Sequence, residues 1–189
     1  MRDQRTQPQE FRRAMGEIAS LMIYEATRSL RVKKVSIATP LEKTTGCTLE
    51  REIVLVPILR AGLGMLEPIL EIIPQARVGF IGLKREESTL QAHFYHKSLP
   101  KQLGRCEVIL LDPMLATGGS AVAALDFLRE QGAKHLRLVS LVSAPEGIAH
   151  VHKHHPALPI FTAAIDRGLN QVGYIVPGLG DAGDRLFGT

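Results

Sequence analysis

Residues 108–120 read Val-Ile-Leu-Leu-Asp-Pro-Met-Leu-Ala-Thr-Gly-Gly-Ser, and no other stretch limits the fold as tightly. The four unbroken apolar residues at 108–111 suit a strand covered on both faces, as in a parallel sheet. Asp112 then falls at the strand's carboxyl end, where open α/β sheets place their ligands. Thr117, Gly118, Gly119 and Ser120 follow, and 121–129 reads as a helix. Small residues at a helix start leave backbone N–H groups bare, and the helix dipole favours an anion there. An acid that accepts hydroxyls, beside a turn that takes a phosphate, suits a phosphorylated sugar. The plainer reading is a tight turn with Thr117 or Ser120 as a cap. No Lys follows the glycines, which excludes the Walker A loop, and the G-x-G-x-x-G pattern of dinucleotide folds is missing.

The rest of the chain repeats the strand-then-helix rhythm. Phe11, Met15, Ile18, Met22 and Ala26 recur at three- and four-residue steps, so 9–29 reads as an amphipathic helix. Strands at 32–38 and 48–52 flank a Thr-Thr-Gly turn at 44–46, as in a hairpin or strand pair. Strand 53–58, loop 59–64, helix 65–73 and strand 78–82 begin the βα units. Residues 84–104 are polar without a clean period, a mobile loop or a two-stranded arm. Strand 108–112, helix 119–131, strand 136–142, helix 145–154 and strand 160–165 complete a doubly wound, mainly parallel sheet flanked by helices. The stretch 173–188 carries five glycines and reads as too irregular for a helix.

At 189 residues, 45% hydrophobic and 22% charged, the chain suits one ordinary soluble domain spanning 1–189. No stretch is apolar enough to span a bilayer, and the start has no signal-peptide core. Two cysteines, Cys47 and Cys106, make no disulfide framework, so a cytoplasmic protein with reduced thiols is expected. A net charge of +4 suits anionic small molecules, while the basic residues are scattered and Trp is absent, which disfavours specific nucleic-acid binding.

The segment 112–120 resembles the phosphoribosyl-pyrophosphate (PRPP) signature of type I phosphoribosyltransferases. Most members carry two adjacent acids at the strand tip, whereas Pro113 follows Asp112 here. That departure, with 114–120, resembles the uracil phosphoribosyltransferase family. Two further motifs agree, Val-Pro-Ile-Leu-Arg-Ala-Gly-Leu-Gly at 56–64 and Tyr-Ile-Val-Pro-Gly-Leu-Gly-Asp-Ala-Gly-Asp at 174–184. The resemblance covers essentially the whole chain. It implies the type I phosphoribosyltransferase fold, with a base-binding hood at about 166–189 and a protruding loop or arm at about 84–104. It also implies the reaction of uracil with PRPP to give UMP and pyrophosphate, a step of pyrimidine salvage.

Under that resemblance, PRPP is expected on Asp112, Pro113, Met114, Leu115, Ala116, Thr117, Gly118, Gly119 and Ser120. Asp112 would accept the ribose hydroxyls, and the turn from Ala116 to Ser120 would hold the 5′-phosphate. Arg60, in a small-residue loop, offers a guanidinium fork for phosphate, and the family often has a non-proline cis peptide there. Arg85 is expected on the pyrophosphate side and in catalysis, with Lys84 as its runner-up. Asp181 is expected to face PRPP or the reacting edge of uracil and to serve catalysis. Ile175, Gly180, Asp181 and Ala182 would read the base through main-chain groups. Magnesium is expected with PRPP rather than on protein side chains. The resemblance further implies a homo-oligomer (dimer or higher) and GTP as an allosteric activator.

Two clusters invite other chemistry. His150, His152, His154 and His155 include a pair at helical spacing able to hold zinc, but a solvated helix end fits better because no carboxylate-rich or Cys partner is nearby. His93 and His96 sit in the polar loop without a telling spacing. The rival functions are a UMP-sensing RNA-binding regulator on the same fold and a phosphoribosyltransferase for another base. The first would need a continuous basic face, and the second usually keeps the acidic pair. The ends also depart from the family: relatives usually have a segment before the Arg-Asp-x-x-Thr stretch at 2–6 and a Lys after the final Gly-Thr.

Overall fold

A computed structural model describes residues 1–85 and 92–189, with the side chains of Arg85 and Ala92 outside the description. Helix α1 (Pro8–Thr27) leads into a hairpin of β1 (Val32–Ala38) and β2 (Lys43–Leu49), and then β3 (Glu52–Leu59) and α2 (Leu63–Ile72). The short β4 (Arg77–Val78), β5 (Phe80–Arg85) and β6 (Ala92–Ser98) follow. Next come β7 (Cys106–Leu111), β8 (Met114–Leu115), α3 (Gly119–Glu130), β9 (His135–Ser143), α4 (Pro145–His154) and β10 (Ile160–Ile165). The chain closes with β11 (Gly168–Leu169), β12 (Ile175–Val176) and α5 (Ala182–Phe187).

The main sheet runs β10-β9-β7-β3-β5-β6, parallel throughout except for the antiparallel pair β5–β6. Alternating side chains of each central strand enter different cores, which is why these strands read as continuous apolar runs. In β7, Ile109 and Leu111 join α1 and α2 on one face, whereas Val108 and Leu110 join α3 and α4 on the other. In β3, Ile53 and Leu55 divide from Val54 and Val56 in the same way. Chain direction sets the two helical layers. The path from β3 to β5 moves one way across the sheet and the path from β7 to β9 and β10 moves the other. Right-handed crossovers then put α2 opposite α3 and α4.

Three boundaries differ from the sequence reading. The Thr-Thr-Gly segment at 44–46 lies within β2, where Gly46 pairs with Val35 beneath the Ile37 side chain. The turn is at 39–42, organised by the Thr39 hydroxyl, which accepts from the N–H groups of Leu41 (3.2 Å) and Glu42 (3.0 Å). The expected strand at 48–52 is therefore the end of β2 and the beginning of β3. At the C-terminus the glycine-rich stretch does contain a helix, α5, because the Asp181 carboxylate caps it by accepting from Asp184 N–H at 3.0 Å. The arm reading of 84–104 holds for its described part, β5 and β6, while 86–91 fall outside the described residues.

Candidate active site

Between β3 and β7 the path of the chain reverses, and the loops leaving their carboxyl ends diverge. This is the place where a doubly wound sheet opens a crevice. A cleft of about 280 Å³ lies there, lined by Arg60 and Ala61 after β3, by Asp112, 114–118, Ser120 and Ala121 after β7, and by Asp181 and Gly183 from the C-terminal stretch. A larger cavity of about 830 Å³ opens at the other end of the strands, by the starts of β3 and β7, among Arg51, Arg77, Glu50 and Glu52. Its guanidinium groups already pair with carboxylates, Arg51 with Glu50 at 3.3 Å and Arg77 with Glu52 at 3.1 Å. The strand-end rule favours the smaller cleft.

The loop after β7 is held from below by the neighbouring strand. Asp112 N–H donates to Val139 O (3.1 Å), and Pro113 O accepts from Leu141 (3.1 Å) and Val142 (3.0 Å). Met114 and Leu115 continue as β8 beside the end of β9. Ser140, wholly buried, accepts from Leu115 N–H at 3.1 Å and donates to Val142 O at 3.2 Å. This hydroxyl has no ligand role in the sequence reading; its signal was a polar residue flanked by Leu138, Val139, Leu141 and Val142, which must find partners when buried. Asp112 Oδ1 accepts weakly from Met114 N–H at 3.4 Å.

Gly118 makes the turn into α3 with φ +81°, and a Cβ there would lie 2.8 Å from Gly147 O. Only glycine enters this conformation at no steric cost. The N-cap position of α3 is Gly118 itself, which brings no side chain to the helix start. The first helical bond runs from Val122 N–H to Gly118 O, so the N–H groups of Gly119, Ser120 and Ala121 have no acceptor within the helix. Three such donors with a helix dipole behind them suit an anion.

Arg60 approaches from the adjacent strand tip, after a cis peptide between Leu59 and Arg60. Its guanidinium lies 3.2 Å from Asp184 Oδ1 and 5.8 Å from the ring centre of Phe187, so α5 sets its resting position. Both members of the Arg60–Asp184 pair are about half exposed. Such pairs are worth about 0–1 kcal/mol, so Arg60 can exchange Asp184 for a phosphate at small cost. Asp184 and Phe187 were not singled out from sequence, since only the fold brings them to Arg60.

The cleft thus brings together Arg60, Asp112, Thr117, Gly118, Ser120 and Asp181, along with Met114, Leu115 and Ala116. Pro113, Gly119, Ile175, Gly180 and Ala182 are not among its lining residues. Ile175 and Ala182 are buried in the core against α1 and α2, and Gly180 turns the chain at φ +79° just before Asp181. Arg85 ends β5, and its side chain lies outside the described residues. Lys84 is exposed and pairs with His93 across the arm, and His96 pairs with Gly82.

The histidine cluster is not wholly solvated. His155 is buried, with Nε2 3.1 Å from Asp126 Oδ1, and burial holds its pKa below the ordinary value despite that carboxylate. His152 bonds Leu158 O (3.1 Å), and His154 stacks on His150 at 4.8 Å. No group of three His, Cys, Asp or Glu able to hold a metal occurs among the described residues.

Strand order and the switch-point cleft place the chain among the type I phosphoribosyltransferases. A hypoxanthine-guanine phosphoribosyltransferase from Bacillus anthracis shares the fold at TM-score 0.54 and 15% identity, over 71% of this chain and 69% of that one. The family description "Uracil phosphoribosyltransferase" matches residues 1–189, and the chain belongs to that family. A uracil phosphoribosyltransferase of Dictyoglomus turgidum is 52% identical over 190 aligned positions, covering all of this chain and 92% of the relative. One from Finegoldia magna is 52% identical over all of this chain and 91% of its own length. The AQ2163 protein of Aquifex aeolicus superposes at TM-score 0.93 with 40% identity, over 98% of this chain and 89% of that one.

Proposed function

We propose that this phosphoribosyltransferase joins uracil to the ribose of PRPP, releasing pyrophosphate and forming UMP. The observation that carries the reading is the convergence of Asp112, the glycine turn at the start of α3, Arg60 and Asp181 in one cleft. The uracil nitrogen displaces pyrophosphate at the anomeric carbon while positive charge builds on the ribose. Such a transfer needs alignment and a stabilised leaving group more than covalent help. In this reading Asp112 accepts the ribose hydroxyls and the N–H groups at 119–121 take the 5′-phosphate. Arg60 and Arg85 balance the pyrophosphate. Main-chain groups near Gly180 and Ala182 match the acceptor–donor–acceptor edge of uracil, with buried Ile175 packed in the core behind them.

Magnesium fits the available donors. Asp112 and Asp181 are two carboxylates in a cleft with no three-carboxylate cage among the described residues, which suits a cation that keeps water and phosphate oxygens as ligands. When bound, the metal would offset charge on the departing pyrophosphate. A homo-oligomer completes the reading: the β1–β2 hairpin exposes nearly all its residues, including Val32, Ile37 and Leu41, and an isolated two-stranded hairpin is marginal in water. GTP activation rests on the family resemblance, as does a cytoplasmic setting; no described helix is long and apolar enough to cross a membrane. The RNA-binding regulator is not favoured.

The test is product formation from uracil, cytosine, hypoxanthine or orotate with PRPP, with and without magnesium and GTP. UMP from uracil alone, dependent on magnesium, is expected. No UMP from folded protein under any metal condition would overturn the reading. Sedimentation of the same sample at several concentrations reads the oligomer, and a monomer throughout would remove that part.

A further inference from the structure

Asp166 directly follows β10, and its N–H donates to Ser143 O at 2.9 Å, which fixes its main chain to the sheet. Its side chain is almost fully buried, so the carboxylate must be fully partnered. Oδ1 accepts from Arg2 Nη2 at 2.7 Å, and Oδ2 accepts from Arg2 Nη1 at 2.7 Å and from Gly178 N–H at 2.8 Å. Arg2 Nη1 also donates to Gly178 O at 2.9 Å. Both main-chain groups of Gly178 are thus held by one bidentate pair. A Cβ on Gly178, at φ +58°, would run into Ile175 O, so the clamped position admits only glycine. Arg185 ties the following residue, donating to Leu179 O at 3.0 Å and to Asp3 O at 2.6 Å.

We propose that Arg2 and Asp166 are positioning residues for uracil, clamping Gly178 so that the main chain at 180–182 presents a fixed hydrogen-bonding edge to the base. The inference rests on the reading of that segment as the uracil site. Neither residue lines the cleft, so neither touches substrate. The clamp begins two residues before Gly180, and a fork of two charge-assisted bonds fixes orientation as well as distance. Main-chain readout needs this support. A side chain can adjust to a base by rotating, but a peptide group moves only with its whole segment. The PRPP turn at 112–120 is held separately by β9, so loosening the clamp leaves PRPP recognition in place. The bond from Arg2 keeps the Asp166 carboxyl below the usual range, so the clamp persists into mild acid.

The experiment compares the parent with R2A, R2K and D166N in paired titrations, uracil at saturating PRPP and PRPP at saturating uracil, with thermal melts alongside. Loss of a charge-assisted bond at this spacing predicts a rise in the uracil KM on the order of tenfold, with the PRPP KM within about twofold of the parent. Lys keeps the charge and loses the fork, so R2K should resemble R2A rather than the parent. Free guanidinium at non-denaturing concentration should lower the uracil KM of R2A towards that of the parent, a rescue that a merely fastening role would not show. Should D166N fail to fold, the half-exposed Arg2 still carries the test. Unchanged uracil KM in R2A and R2K, or equal rises in both KM values, would overturn the clamp. A parent that makes no UMP from uracil would overturn the function proposed above, and the clamp's role with it.

Discussion

The two sides of the cleft are built by opposite means. The loop after β7 is held by bonds from the adjacent strand, main chain to main chain, with Ser140 as a buried fastening. The segment at 178–184 is held by charged side chains distant in sequence: Arg2 reaches Asp166 and Gly178, Arg185 reaches Asp3 and Leu179, and Arg60 reaches Asp184. Main-chain hydrogen bonds to a buried strand give a phosphate turn that hardly depends on the rest of the molecule. Side-chain ties give a base site that depends on the packing of α1, β10 and α5 together. The phosphate side is therefore set locally, and the base side is set by the tertiary fold.

The sharpest way to break this contrast is at Gly118. G118V puts a branched side chain at φ +81° and against Gly147 O, so the turn into α3 must move. A misplacement of about 1 Å can cost on the order of 100-fold, and kcat/KM for PRPP should fall by at least that while the uracil KM changes little. A normal PRPP dependence in folded G118V would show that the turn is not the phosphate site. D112N keeps the size of the side chain and replaces half of an acceptor-only group by a donor. Loss of a charge-assisted bond of roughly 1.5–3 kcal/mol should raise the PRPP KM by about 10- to 100-fold. Wild-type PRPP use in D112N would leave Asp112 as a turn residue only.

On the other side, A182V adds two methyl groups to a buried position at the start of α5. Overpacking there costs typically 1–3 kcal/mol, relieved by lifting the segment, so the uracil KM should rise and the PRPP KM should stay near the parent value. Poor PRPP use with normal uracil use would reverse the assignment. The smallest effect is expected from pH. His155 resists protonation in the fold because it is buried, whereas the unfolded chain takes a proton near pH 6.5. The unfolded state then binds more protons, so stability should decline as pH falls below about 6.5. Asp166 acts with the same sign in a lower window: its contribution is present above about pH 3.9 and is lost only as pH falls through its lowered value. Melts between pH 7 and 5 should therefore fall in the parent and stay flatter in H155F. An equal decline in both would assign the loss elsewhere.

The same contrast explains what could be read from the residues in order. The run 108–120 and the alternation from β3 to β10 are local patterns, and they placed Asp112, Gly118 and the parallel sheet without any knowledge of packing. Helix α4 has the bounds its pattern implied, 145–154. Failures came where a local cue competed with a distant partner. Thr-Thr-Gly at 44–46 has turn composition, yet strand pairing with Val35 claims it, and Thr39 with Pro40 makes the turn. The glycines of 173–188 hid α5, whose start depends on a cap from Asp181. The histidines at 150–155 suggested a solvated end, yet α3 supplies Asp126 against a buried His155. Arg2 and Asp184 lie in stretches that resemble the family, but their partners, like the role of Asp166, were silent because an ion pair across more than a hundred residues leaves no periodic signal.

The central claim, that the two substrates are held by two separately built regions, is tested most directly by a double-mutant cycle between D112N and D166N. The PRPP KM and the uracil KM are measured in the parent, both single variants and the double variant. The account predicts that D112N raises only the PRPP KM, that D166N raises only the uracil KM, and that the double variant shows both changes with a coupling below about 0.5 kcal/mol. A rise in the PRPP KM of D166N equal to its rise for uracil, or a strong coupling between the two sites, would contradict it.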